Sequence, residues 1–261
     1  MMKSYHVAVQ GTQAVVIRRD VPVPEPGAGQ VLVRMHAAGL NRGEFIPGGL
    51  VKGGASKPAG MEGAGEVVAI GPGVAGLVPG QRVMGRCAGA FAEYALMDMR
   101  EALPVPDALP MERAAAVPLT FLVVHDMLVL QGRLAPGDWL LVAGVASGVG
   151  VASLQAAKAL GARVIGTSGS PDKLRRLQAL GLDVPLATRA PDFADAVMRA
   201  TADHGADLVV NTVGGSMFAE CVRAMAFEGR LATVGYVDHT LHAQIDIQAL
   251  HVKRLTLFGV S

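Results

Sequence analysis

From Trp139 onward the chain repeats one unit. A short apolar run, Trp139-Leu140-Leu141-Val142-Ala143, enters a glycine-rich turn, after which Val149 to Leu160 carries apolar and small residues at helical spacing until Gly161 stops it. The unit returns as Arg163 to Gly166 before Pro171 to Leu180, and as Val184 to Ala187 before Phe193 to Ala202. Further apolar runs lie at Asp207 to Asn211, Arg230 to Val234 and Leu255 to Gly259. Strands without polar alternation need cover on both faces. Six of them with intervening helices therefore predict an α/β fold, a doubly wound parallel sheet whose right-handed crossovers place a ligand at the carboxyl ends of the strands.

The first 105 residues read differently. Short runs such as Val31 to Met35 and Gly65 to Ile70 are separated by turn chemistry, Pro22 to Gly27, Gly71-Pro72-Gly73 and Pro79-Gly80, which predicts a compact, mostly β domain. Met111 to Gln131 is a long apolar stretch interrupted by Pro118, either two helices meeting at a break or one kinked helix bridging the domains. We place the boundary at residues 1–122 and 123–261.

Composition narrows the function classes. With 261 residues, a formal net charge of +1 and 51% hydrophobic against 17% charged residues, the chain has the makings of a packed core and no basic run for nucleic acid or anionic lipid. Cys87 and Cys221 stand alone, which argues against a disulfide framework or a cysteine zinc site and for a reducing compartment. No segment reaches the roughly 18 apolar residues of a membrane span, and the start lacks a secretory pattern. The expectation is a cytoplasmic protein acting on a small molecule, with no nucleic-acid or membrane partner.

The turn Gly144-Val145-Ala146-Ser147-Gly148-Val149-Gly150, between a buried strand and a helix, is where a dinucleotide pyrophosphate would rest on bare amide groups. In the strict GxGxxG frame the glycine slots fall on Val145, Ser147 and Gly150, so only the last matches; an ordinary strand-to-helix turn is the alternative. Roughly 20 residues on, a NAD site would carry an acid. This chain reads Ser168-Gly169-Ser170-Pro171-Asp172-Lys173 instead, hydroxyls and a lysine able to hold the 2′-phosphate of NADPH through a charge-assisted bond of about 1.5–3 kcal/mol. Asp172 is equally suited to a helix's first turn, and Lys173, Arg175 and Arg176 to a solvated helix face.

Several segments together, Ala38 to Glu44, Gly60-Met61-Glu62-Gly63-Ala64-Gly65-Glu66-Val67, Gly80-Gln81-Arg82-Val83 and the turn at 146–150, resemble the medium-chain dehydrogenase/reductase superfamily, nearest its zinc-free quinone oxidoreductases and enoyl reductases. The spacing agrees across essentially the whole chain. The resemblance implies a GroES-like N-terminal catalytic domain and a C-terminal Rossmann domain binding NADPH. It extends the cofactor site to Thr188 or Arg189, Thr212, Gly235, Phe258 and Gly259, although a solvated surface pair also explains Thr188 and Arg189. Asn41 and Met61 stand where zinc-dependent members carry a Cys and a His, so no metal is expected.

Without a Lewis acid, hydride transfer to a quinone or an α,β-unsaturated carbonyl is the expected reaction, with a homodimer paired through Leu255 to Gly259. Asn41 is the candidate oxyanion donor, or else a turn residue; Glu44 is expected to tie a loop. Thr120 either offers a hydroxyl near the nicotinamide or back-bonds within its helix. The chain departs from the family at Phe45-Ile46-Pro47, where a tyrosine is common, at Val123, where a threonine is customary, and at Thr188, where a tyrosine often packs by the adenosine phosphate. It stops at Gly259-Val260-Ser261, short of the helix and return segment that the resemblance leads one to expect. The alternatives are a nucleotide-binding structural or regulatory protein without turnover, and a zinc-independent alcohol dehydrogenase.

Overall fold

The computed structural model describes residues 1–10, 13–45 and 56–260. Ile46 and Pro47, part of the tyrosine departure, lie outside them. The chain divides into two compact units, Met1–Leu119 and Thr120–Ser261, three residues before the expected boundary.

In the first unit β1 (Met2–Gln10) pairs antiparallel with β2 (Gln13–Val21), and on its other side with β4 (Lys57–Pro58). A second antiparallel sheet collects β3 (Gln30–Ala38), β5 (Glu62–Ile70), β6 (Arg82–Arg86), β7 (Tyr94–Asp98) and β8 (Leu103–Pro104) in the order β7-β3-β5-β6-β8. Val31, Val33, Val67, Val83 and Met97 bury the core of this unit. The turn glycines are forced: a Cβ on Gly71 would stand 1.9 Å from the Gly27 carbonyl oxygen, and Gly80 sits at φ +87°.

Two short helices follow, α1 (Met111–Ala114) and α2 (Pro118–His125), then a π-helical turn over Asp126–Leu130. Pro118 opens α2, where its missing N–H costs nothing, so the break resolves as two helices rather than one kinked one. The division between the units falls inside α2.

The second unit alternates β9 (Trp139–Ala143), α3 (Gly148–Ala159), β10 (Arg163–Thr167), α4 (Pro171–Gln178), β11 (Val184–Leu186), α5 (Ala194–Ala200), β12 (Ala206–Asn211), α6 (Gly215–Arg223), β13 (Met225–Thr233), α7 (Ile247–Val252) and β14 (Thr256–Gly259). The six strands are parallel in the order β11-β10-β9-β12-β13-β14, the doubly wound sheet expected. Along β9 alternate residues enter opposite cores: Leu140 and Val142 join the layer packed with Leu154 and Leu174, Leu141 and Ala143 that of Val197 and Val222. Each buried leucine contributes about 1.5–3 kcal/mol. β13 begins five residues before the expected Arg230, because the ladder continues past a bulge in which Glu228 takes φ +57°. Helix α7 was not expected; its signal is Asp246, whose carboxylate caps the Gln248 and Ala249 amides. Among the described residues no helix is long and apolar enough to cross a membrane.

Candidate cofactor site

Register brings the candidate residues to one edge of the parallel sheet. Ala143 pairs with Thr167 and Asn211, Thr167 with Leu186, Asn211 with Thr233, and Thr233 with Gly259. The segments that follow these strands therefore line up at the carboxyl ends: Thr188 and Arg189, Ser168 to Ser170, Gly144 to Gly150, Thr212, Gly235, and the strand residues Phe258 and Gly259.

The turn after β9 uses its glycines in three ways. Gly144 adopts φ +83° and donates its N–H to the Thr167 hydroxyl at 3.1 Å, while a Cβ there would meet the Thr212 hydroxyl at 2.5 Å. Gly150 packs its Cα against the turn, a Cβ being 2.6 Å from the Gly144 carbonyl oxygen. Gly148 faces open space, with no atom within 4 Å of a built Cβ. Ser147 caps α3: its hydroxyl accepts from the Gly150 N–H at 3.1 Å and donates to the Gly144 carbonyl at 2.8 Å. Among the described residues the Gly148 and Val149 amides meet no acceptor, so two first-turn donors stand bare beside an open approach. That fits a pyrophosphate.

The Thr212 hydroxyl donates to the Ala143 carbonyl at 2.9 Å, and Gly235 lies close to the Thr212 carbonyl. Both hold strand ends together. Phe258 packs into the core beside α3.

At the next strand end Ser170 caps α4, accepting from the Lys173 N–H at 3.4 Å, and Asp172 pairs with Arg175 on the solvent face. Lys173 and Arg176 instead line a groove of about 410 Å³ with Ala146, Val151, Leu177 and Leu180, and among the described residues neither has an ion-pair partner. Thr188 is spent within its own loop, donating to Asp192 at 2.8 Å and accepting from the Ala190 N–H at 3.0 Å, which leaves Arg189 as the candidate for a phosphate. In the sequence Arg176 reads only as part of a solvated helix face and Thr167 only as part of the hydroxyl-bearing segment at the end of β10, without the places the structure gives them. The first shows only once Lys173 is known to face the groove, the second only once β10 is known to lie beside β9.

In the first unit Asn41 corrects an expectation. Its amide nitrogen donates to Glu62 at 2.9 Å and to Glu44 at 3.3 Å, so neither hydrogen is left for an oxyanion. Glu44 also accepts from the Gly60 N–H at 2.8 Å, tying the loop as expected, and burial pushes its carboxyl above the usual range. Glu62, fully buried, gives its second oxygen to the Leu119 N–H at 2.8 Å, in the first turn of α2. Phe45 stacks on Phe91 with ring centroids 6.2 Å apart. Thr120 is half-buried, and among the described residues its hydroxyl has no partner, so it does not back-bond within α2.

Comparison with known proteins agrees with this geometry. The family model described as alcohol dehydrogenase GroES-like domain matches residues 27–107, and that described as zinc-binding dehydrogenase matches residues 148–261. Zinc does not fit the residues present: the family's Cys and His positions hold an amide and a thioether, and among the described residues no three His, Cys, Asp or Glu side chains group to hold a metal. Prostaglandin reductase-3 of Bos taurus is 37% identical over 230 residues, 87% of this chain; the chain spans only 60% of that relative's length. A mycobacterial quinone oxidoreductase is 30% identical with a TM-score of 0.88, covering 99% of this chain and 81% of its own. A mycobacterial protein complexed with NADPH matches at 30% identity and TM-score 0.88, over 100% and 81%. On the order of its strands, the turn after the first of them and these likenesses, the chain belongs to the medium-chain dehydrogenase/reductase superfamily.

Proposed function

We propose that the chain is an NADPH-dependent reductase of quinones or α,β-unsaturated carbonyls. The observation that carries this reading is the pair of bare amides at Gly148 and Val149 beside an open approach, next to a second strand end that presents serines and Lys173, its acid Asp172 being paired with Arg175. When bound, the dinucleotide supplies a hydride to the acceptor. The chain's own residues hold it: the Gly148 and Val149 N–H groups on the pyrophosphate, Ser168, Ser170, Lys173 and Arg189 around the ribose 2′-phosphate. The Thr120 hydroxyl, without a partner among the described residues, is the donor offered to a developing oxyanion in place of Asn41. The relative solved with NADPH and the reductase activities named for the other relatives support the same reading.

A second reading, a dinucleotide-binding protein without turnover, is favoured by one observation: the Asn41 amide is consumed by Glu44 and Glu62. One experiment separates the two. Calorimetric titration with NADPH, followed by single-turnover oxidation of bound NADPH against a panel of enones and quinones, is expected to show binding and acceptor-dependent loss of absorbance. Binding without oxidation by any acceptor selects the second reading; no binding overturns both.

A further inference from the structure

Arg189 lies across Gly169. A Cβ built on Gly169 would fall 1.9 Å from the Arg189 Nε, 2.3 Å from its Cγ and 2.5 Å from its Cδ, so the middle of the arginine side chain occupies the place of a side chain at 169. The two residues come from neighbouring strand ends. β10 and β11 pair in parallel up to Thr167 and Leu186, and the Ser168 N–H continues the ladder to the Leu186 carbonyl at 3.1 Å. Thr188 then fixes the second loop, through its bonds to Asp192 and the Ala190 amide. A long exposed side chain is thus laid on a bare stretch of backbone, and among the described residues its guanidinium has no carboxylate partner.

We propose that Gly169 is a positioning residue for cofactor specificity: it seats Arg189 so that the guanidinium meets the 2′-phosphate of NADPH. This rests on the NADPH reading above. A guanidinium can hold two oxygens of a phosphate monoester at once, and one already confined by a surface loses less rotamer freedom on binding than one that sweeps solvent. Any side chain at 169 pushes the arginine off its seat, while the charge count of the site stays the same. The atoms displaced, from Cγ to Nε, belong to one exposed side chain and not to backbone, so it is the arginine that must take another rotamer.

Calorimetric titration of the full chain with NADPH and with NADH tests the proposal. The wild-type protein is expected to prefer NADPH by tenfold or more. Arg189→Ala should cut that preference roughly tenfold by weakening NADPH alone, and Gly169→Ala should cut it several-fold without removing any charge. In the Arg189→Ala background Gly169→Ala should have no further effect, whereas with Lys173→Ala its effect should persist. Full Gly169→Ala losses in the absence of Arg189, or an unchanged preference in either single variant, overturn the seat while leaving the NADPH reading standing. A wild-type protein with equal affinity for the two dinucleotides overturns both.

Discussion

The two units treat their polar groups in opposite ways. Around Asn41 the amide hydrogens and the carboxylates are matched inside the protein: one amide bridges two buried carboxylates, and these close on the Gly60 and Leu119 N–H groups. Along the strand ends of the second unit several polar groups have no partner among the described residues, the Gly148 and Val149 amides and the Lys173, Arg176 and Arg189 cations. A closed network holds a fold together, and open amides and cations are what the proposed cofactor site would draw on.

The sharpest way to break this contrast is Glu62→Ala. It removes the acceptor from one hydrogen of the half-buried Asn41 amide and from the half-buried Leu119 N–H, at about 1–3 kcal/mol each. Urea denaturation should show a loss of about 3 kcal/mol, with NADPH affinity within twofold of wild type for the protein that remains folded. Unchanged stability would mean that the network is not closed.

Gly148→Ala tests the open side and should separate the two quantities in opposite directions. The new methyl meets no protein atom and replaces a glycine in a helix's first turn, so stability should rise by up to about 1 kcal/mol. It also stands in the approach of the diphosphate on the proposed reading, so the NADPH dissociation constant should rise about tenfold. Equal affinity in calorimetry would remove the diphosphate from this turn.

The smallest effect concerns Glu44. Its carboxyl is raised in the folded state, chiefly by burial, so the folded protein binds its proton more tightly than the unfolded chain does. That contribution is complete below the ordinary glutamate range and is lost as pH rises through the elevated folded value. Denaturation midpoints should fall gently across that window, and Glu44→Gln should flatten the slope. A midpoint that rises with pH in the wild type but not in the variant would contradict the assignment.

Much of the second unit was legible because its signals are local. The apolar run at Trp139 to Ala143, the stop at Gly161 and the proline at the head of α4 each dictate geometry within a few residues, and the parallel order follows from handedness. Gly144, Ser147, Gly148 and Gly150 were recognisable as a turn, although their separate jobs depend on Thr167 and Thr212, which only register brings near. Asn41 shows the limit: its motif marks the position, but its partner Glu62 lies 21 residues on, at the start of the neighbouring strand. The bulge in β13 was hidden for a related reason. Whether a strand continues past Glu228 is decided by the neighbour it pairs with, not by its own propensities.

Ser147 carries a last consequence. Because its hydroxyl already terminates α3 and pins Gly144, the first turn keeps its shape when nothing is bound. On the proposed cofactor site, dinucleotide arrival would then require no coil-to-helix transition and departure no local melting.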